Sequence, residues 1–163
     1  MSDTLLLIHL LLLLLVANGT PVVARIILGR RLDRPLDGGI KLSDGKPLLG
    51  PSKTLRGLAA SILATIVMAW LLGYPPTLGA GFALFAMLGD LGSSFIKRRM
   101  GMTSSRNALG LDQIPEALFP LLFVRQELSL AWTDIFILTL AFLVLDLVLG
   151  SLLAQTRPRF RSG

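Results

Sequence analysis

The chain contains no cysteine, so it can build neither a disulfide framework nor a thiolate metal site. That absence leaves the compartment open. Histidine occurs once, at His9. It lies in the outer half of the first apolar run, far in depth from the candidate chemistry, and reads as structural. Positive charge is missing from the extreme N-terminus. Met1-Ser2-Asp3-Thr4 carries an acid and no Lys or Arg, the reverse of a signal-peptide n-region. Ala17-Asn18-Gly19 is a weak lookalike of a cleavage site, and the segment is expected to persist as a mature helix. Internal repeats, heptads and low-complexity tracts are also lacking.

What the 163 residues hold instead is apolar length: 53% are hydrophobic and the mean hydropathy is +0.71, too high for an ordinary soluble domain. A helix needs about 20 apolar residues to cross a bilayer. Runs of that kind predict helices over about 5–28, 57–72, 77–96, 107–124 and 130–154. Pro21, within Asn18-Gly19-Thr20-Pro21, removes a backbone donor and predicts a kink or break in the first. The fourth holds Asp112, Pro115, Glu116 and Pro120, and reads as a short span or a re-entrant helix.

The net charge of +6 and the pI near 10.8 could suggest nucleic acid. The basic residues, however, flank the apolar runs, which points to membrane topology and away from nucleic acid. Every Lys and Arg except Arg125 falls in the segment 25–56, in the segment 97–106 or in the tail at Arg157, Arg159 and Arg161. Five spans with the N-terminus outside put all three regions in the cytoplasm. The expected molecule is an all-α, multi-pass protein of the cell (inner) membrane, a single membrane domain over 1–163. Its cytoplasmic loops cover about 29–56 and 97–106, and its C-terminus is cytoplasmic. A homo-oligomer is left open.

Gly79, Ala83, Ala86 and Asp90 share one helix face, which continues through Ser94 and Lys97 with Arg98 adjacent. Small residues permit close helix approach, and a carboxylate at that depth must face the bundle interior or a wet cavity. Pairing with Lys97 or a neighbour for packing is the plain alternative to a metal or substrate site. Asp112 and Glu116 follow at i and i+4, with helix capping as their plain reading. Upstream, Lys53, Thr54 and Arg56 lead into the second run. Cations at a helix N-terminus make a phosphate site, or merely set topology. The spacing excludes a Walker A loop. Carboxylates and cations on one membrane face suggest Mg²⁺-assisted phosphoryl chemistry, since Mg²⁺ takes hard oxygen ligands and shares substrate phosphates. Asp146 lies at about the depth of Asp90 and either lines the same cavity or pairs internally.

In their order along the chain, Pro35-Leu36-Asp37, Asp44-Gly45, Lys53-Thr54-Leu55-Arg56-Gly57, Gly89-Asp90-Leu91 with Ser94-Phe95-Ile96-Lys97-Arg98, and Leu111-Asp112-Gln113 resemble the CDP-archaeol synthases, relatives of the phosphatidate cytidylyltransferases. The resemblance implies a five-helix enzyme that moves CMP from CTP to a membrane lipid phosphate, phosphatidate-like or an isoprenoid ether lipid, releasing pyrophosphate. It implies Mg²⁺ on Asp90 and Asp112, and phosphates on Lys53, Arg56, Lys97 and Arg98. Asp37, Asp44, Thr54 and Ser94 join the substrate-binding set as members of the same motifs. Where the family pattern has a second acid three residues after Asp112, this chain has Pro115, and Glu116 stands in as the further metal ligand. The competing reading is a non-catalytic membrane protein that binds anionic lipid or a partner through its basic loops. A CDP-alcohol phosphotransferase motif is absent, and no inverted repeat supports a transporter.

Overall fold

The computed structural model describes residues 3–29, 31–102 and 110–155. Arg30, Arg106 and the tail arginines, which entered the charge count, lie outside the described residues. Five helices follow in order: α1 (Asp3–Leu28), α2 (Leu55–Leu71), α3 (Pro76–Arg99), α4 (Gln113–Val124) and α5 (Trp132–Gln155). The described residues contain no strand, only two isolated antiparallel bridges, Pro35 with Thr54 and Lys41 with Pro47. Among the described residues three helices are long and apolar enough to cross a membrane: Thr4–Leu28, Pro76–Arg99 and Trp132–Leu152. α2 and α4 are apolar but shorter.

The break expected at Pro21 does not occur, because α1 runs through it. Proline removes the N–H that would bond the carbonyl four residues back, here that of Ala17. The Ser61 hydroxyl of α2 donates to that carbonyl at 2.7 Å and replaces the lost bond from outside the helix. Asn18 and Thr20 satisfy their side-chain donors on the carbonyls of Leu14 and Val16 one turn back. Gly57 brings α2 against the same turn: a methyl added there would stand 3.3 Å from the Pro21 ring.

The expected small-residue face of α3 is buried at Gly79, Ala83 and Ala86. A side chain at Gly79 would collide with Ala69 and the Thr65 carbonyl of α2. One at Gly89 would collide with the Pro115 carbonyl and the Glu116 N–H of α4. These two glycines therefore set how closely α3 approaches its neighbours. Leu10, Leu14, Ala69, Phe82, Leu121 and Phe142 bring all five helices to one apolar core. Outward faces carry Leu63, Val67, Trp70, Phe136 and Val148 well exposed, a surface suited to lipid and too apolar for water.

α4 begins at Gln113, later than the expected 107, and residues 110–112 form a turn. Gly110 has φ +81, a left-handed conformation incompatible with continuing a helix through it. Pro115 lies in the first turn, where a missing N–H costs no helical bond.

Candidate active site

The site assembles where the loop 31–54 meets the C-terminal half of α3 and the start of α4. Asp37 organises the loop. Its carboxylate accepts from the N–H groups of Gly39 (3.0 Å), Leu49 (2.9 Å) and Gly50 (3.2 Å). Burial alone would push this carboxyl up, but the three N–H donors outweigh it and hold it below its ordinary value of 3.8. Asp44 accepts from the N–H of Lys46 and from the Arg99 guanidinium at the end of α3. Those contacts hold the exposed Asp44 carboxyl below 3.8 as well, the Lys46 N–H first. The Lys46 ammonium in turn donates to the Arg99 carbonyl at 2.9 Å, so the loop is tied to the helix end from both sides.

Lys53, the last loop residue before the α2 cap, reaches α3 and pairs with Asp90. Lys97, 7% exposed in the last turns of α3, donates to Asp112 Oδ2 at 2.8 Å. The pairing of Asp90 with Lys97 considered above is thus replaced by two crossed pairs, loop to α3 and α3 to α4. Asp112 occupies the N-cap position of α4 but makes no capping bond. Its carboxylate is directed to Lys97 instead, with the ammonium 2.8 Å from both Oδ1 and Oδ2. Glu116, one turn into α4, lies near Asp90, Lys53 and Asp112. Gly89 permits this approach, since the α4 backbone passes where its side chain would be.

Other expected site residues serve the scaffold. Arg56, 8% exposed, donates to the carbonyls of Gly29 and Arg31 and pairs with Asp33 at 3.0 Å, clamping the end of α1 to the loop. Thr54 is the N-cap of α2, and its hydroxyl accepts from the Gly57 N–H at 3.2 Å. The N–H groups of Lys53, Leu55, Gly57 and Leu58 are all taken by protein acceptors. The start of α2 therefore offers no open backbone cradle for an anion among those four. Ser94 and Arg98 are buried on the α3 face, and Arg98 Nε has no partner among the described residues. Asp146 pairs internally, accepting from Gln113 at 2.9 Å. His9 lies against Tyr74, 3.2 Å from its hydroxyl, a structural contact. The sequence reading passed over Gly89 as a spacing device; a glycine directly before an intramembrane acid was its available signal.

Among the described residues no ready-made cage of three metal ligands exists. The donor set nonetheless suits a hard cation. Asp90, Glu116 and Asp112 offer only carboxylate oxygens, and Mg²⁺ commonly needs only one or two protein carboxylates. A groove of about 380 Å³, lined among the described residues by Gly110, Leu111, Ile114 and Pro115, adjoins Asp112 along the chain.

A family model described as "CarS-like: CDP-archaeol synthase" matches residues 3–156. A CDP-archaeol synthase of Aeropyrum pernix is 38% identical over 129 residues, 73% of this chain and 68% of that protein. One of Hyperthermus butylicus is 42% identical over 106 residues, 61% of this chain, and the match spans 60% of that relative's length. A solved structure described as "an intramembrane enzyme for archaeal membrane lipids biosynthesis" superposes with a TM-score of 0.71 at 34% identity, covering 88% of this chain and 91% of the other. With a family match over nearly its whole length, the chain belongs to the CDP-archaeol synthase family.

Proposed function

We propose that the protein is a CTP-dependent cytidylyltransferase that converts a membrane lipid phosphate into a CDP-lipid and pyrophosphate. The observation that carries this reading is the crossed set Lys53–Asp90 and Lys97–Asp112, with Glu116 beside Asp90. Carboxylates for a hard cation and ammonium groups for phosphates stand together where the loop 31–54, α3 and the start of α4 meet. Membership of a family whose characterised names are CDP-archaeol synthases supports the substrate class.

The lipid phosphate is already an anion, so attack on the α-phosphorus of CTP needs no general base. A phosphate oxygen forms the new P–O bond while the bond between the α-phosphorus and the bridging oxygen breaks. The electron pair leaves with pyrophosphate. Catalysis then consists of positioning two anions and neutralising their charge. Asp90, Glu116 and Asp112 would hold Mg²⁺, which supplies Lewis-acid polarisation of the α-phosphoryl group and charge for the leaving group. Lys53 and Lys97 neutralise Asp90 and Asp112 in the substrate-free state and turn to phosphate oxygens when nucleotide binds. Arg98 supplies further positive charge. Arg56, Thr54, Asp37 and Asp44 act by holding the loop that presents Lys53.

In this reading the chain is one membrane domain with five membrane-inserted helices. The loop 31–54 faces the cytoplasm of the cell membrane, where CTP is available. The test incubates purified protein with labelled CTP and either phosphatidate or an isoprenoid ether-lipid phosphate, with and without Mg²⁺. The account expects a labelled CDP-lipid from at least one lipid, only with the metal, together with pyrophosphate. Folded protein that turns over neither lipid would instead support a binding role for the basic loops.

A further inference from the structure

Asp146 sits deep in α5, a helix of otherwise apolar character whose only other ionisable residue, Asp134, lies in the first turn. A carboxylate in that setting is costly unless the bundle interior gives it a partner. Its Oδ2 accepts from Gln113 Nε2 at 2.9 Å. Gln113 is 5% exposed and uses both ends of its amide, because its Oε1 accepts from the Gly110 N–H at 3.1 Å. One buried amide therefore joins α5 to the turn that opens α4. Asp112, inside that turn, makes no cap bond of its own and aims its carboxylate at Lys97. Among the described residues, the turn is otherwise held by the Ile114 N–H on the Gly110 carbonyl at 3.0 Å and the Glu116 N–H on the Asp112 carbonyl at 3.4 Å, while Gly110 is left-handed and the Asp112 side chain makes no cap bond.

We infer that Asp146 is a positioning residue for the site. Through Gln113 it fixes the Gly110–Asp112 turn and hence the aim of the Asp112 carboxylate. The inference rests on the reading of Asp112 as part of the transfer site, but its geometric half stands apart from turnover. A simple interhelical contact between α4 and α5 would affect stability alone. A positioning role must also change the state of Lys97 and the dependence on metal and nucleotide, as partners behind metal ligands commonly do.

The test compares Asp146→Asn, Asp146→Leu, Gln113→Glu and the double variant Gln113→Glu with Asp146→Asn. Asp146→Asn keeps an acceptor for the Gln113 amide. Asp146→Leu removes it. Gln113→Glu sets two carboxylates face to face, and the double variant restores a carboxylate–amide pair with the roles reversed. Two readouts are taken on detergent-solubilised protein of verified thermal stability: acylation of Lys97 by an amine-reactive reagent, scored by mass spectrometry against exposed Lys41, and kcat/KM for CTP across Mg²⁺ concentrations. In Asp146→Leu and Gln113→Glu, Lys97 acylation is expected to rise about tenfold, the effect of losing an ordinary partner bond. kcat/KM should fall about 10–100-fold, with a higher half-saturating Mg²⁺ concentration. Asp146→Asn and the double variant should stay within about threefold of wild type in both. Unchanged Lys97 acylation in a folded Asp146→Leu, or a double variant that regains stability but neither readout, would overturn the inference. Wild-type protein that shows the labelling pattern but no turnover would leave the geometry standing and remove the catalytic reading instead.

Discussion

Lys53 and Asp90 form a partly buried pair with Glu116 alongside, so the two partners have different consequences when removed. Lys53→Met leaves two neighbouring carboxylates without their cation. Breaking such a pair from one side costs on the order of 3–5 kcal/mol, and a lowered unfolding temperature in detergent would show it. Combining Lys53→Met with Asp90→Asn removes the stranded charge and should recover most of that stability while CDP-lipid formation stays lost. Recovery of both together would mean the pair is only structural. Asp37 gives a pH prediction. Its folded pKa lies below the ordinary 3.8, so the folded state holds its proton less tightly than the unfolded chain. The stabilisation is therefore complete above the unfolded value and is lost as pH falls through the folded one. Thermal unfolding followed from neutral pH into the acid range should show this loss, and Asp37→Asn should flatten that part of the curve while lowering stability at neutral pH. Little of this role was legible in sequence: Pro35-Leu36-Asp37 signalled a motif, but the donors at Leu49 and Gly50 lie a loop away.

At the scale of the helix, Pro21 and Ser61 act as one device. Ser61→Ala strands the buried Ala17 carbonyl and should cost about 1–3 kcal/mol. Pro21→Ala returns an N–H to that carbonyl, so Ser61→Ala should cost clearly less in that background, read as a double-mutant cycle of unfolding temperatures. Additive effects would remove the link. Of the kink or break expected from Pro21, the break failed because its remedy sits on another helix, 44 positions from the Ala17 carbonyl it bonds. The start of α4 was misplaced for a related reason. Apolar content continued upstream, but Gly110 turned the chain. Gly89 tests the α3–α4 contact itself. Gly89→Ala forces the α4 backbone away from Asp90, and overpacking of this kind typically costs about 1–3 kcal/mol. Activity should fall with it. Gly92→Ala, where an added methyl meets nothing within 4 Å, is the matched control and should behave as wild type.

For the whole molecule, helix lengths and one-sided charge carry the topology. α4, with 12 residues, is only about 18 Å long, well short of a hydrocarbon core of about 30 Å. On the proposed five-span reading, the turn at 110–112 and the segment after Val124 would make up the depth, whereas a re-entrant α4 would not need to. Since the chain has no cysteine, single cysteines placed at Leu42 and at Gln126 should be modified by an impermeant reagent from opposite faces of sealed vesicles. Modification from the same face would contradict the five-span arrangement. The stripe of small residues leading to Asp90 and the pattern of basic loops were readable from spacing and composition. The crossing of the pairs was not, because only the folded chain brings Lys53 to Asp90 and leaves Lys97 for Asp112. Arg56, expected on phosphate, instead clamps carbonyls that no spacing rule connects to it. The central claim is that this crossed carboxylate–lysine set transfers CMP. Its most direct test is Mg²⁺-dependent formation of labelled CDP-lipid by wild type, Asp90→Asn and Asp112→Asn at matched thermal stability. The account predicts a loss of at least about 100-fold in each variant, the scale of removing one preorganised electrostatic group. Variants that remain folded and turn over at the wild-type rate would contradict it.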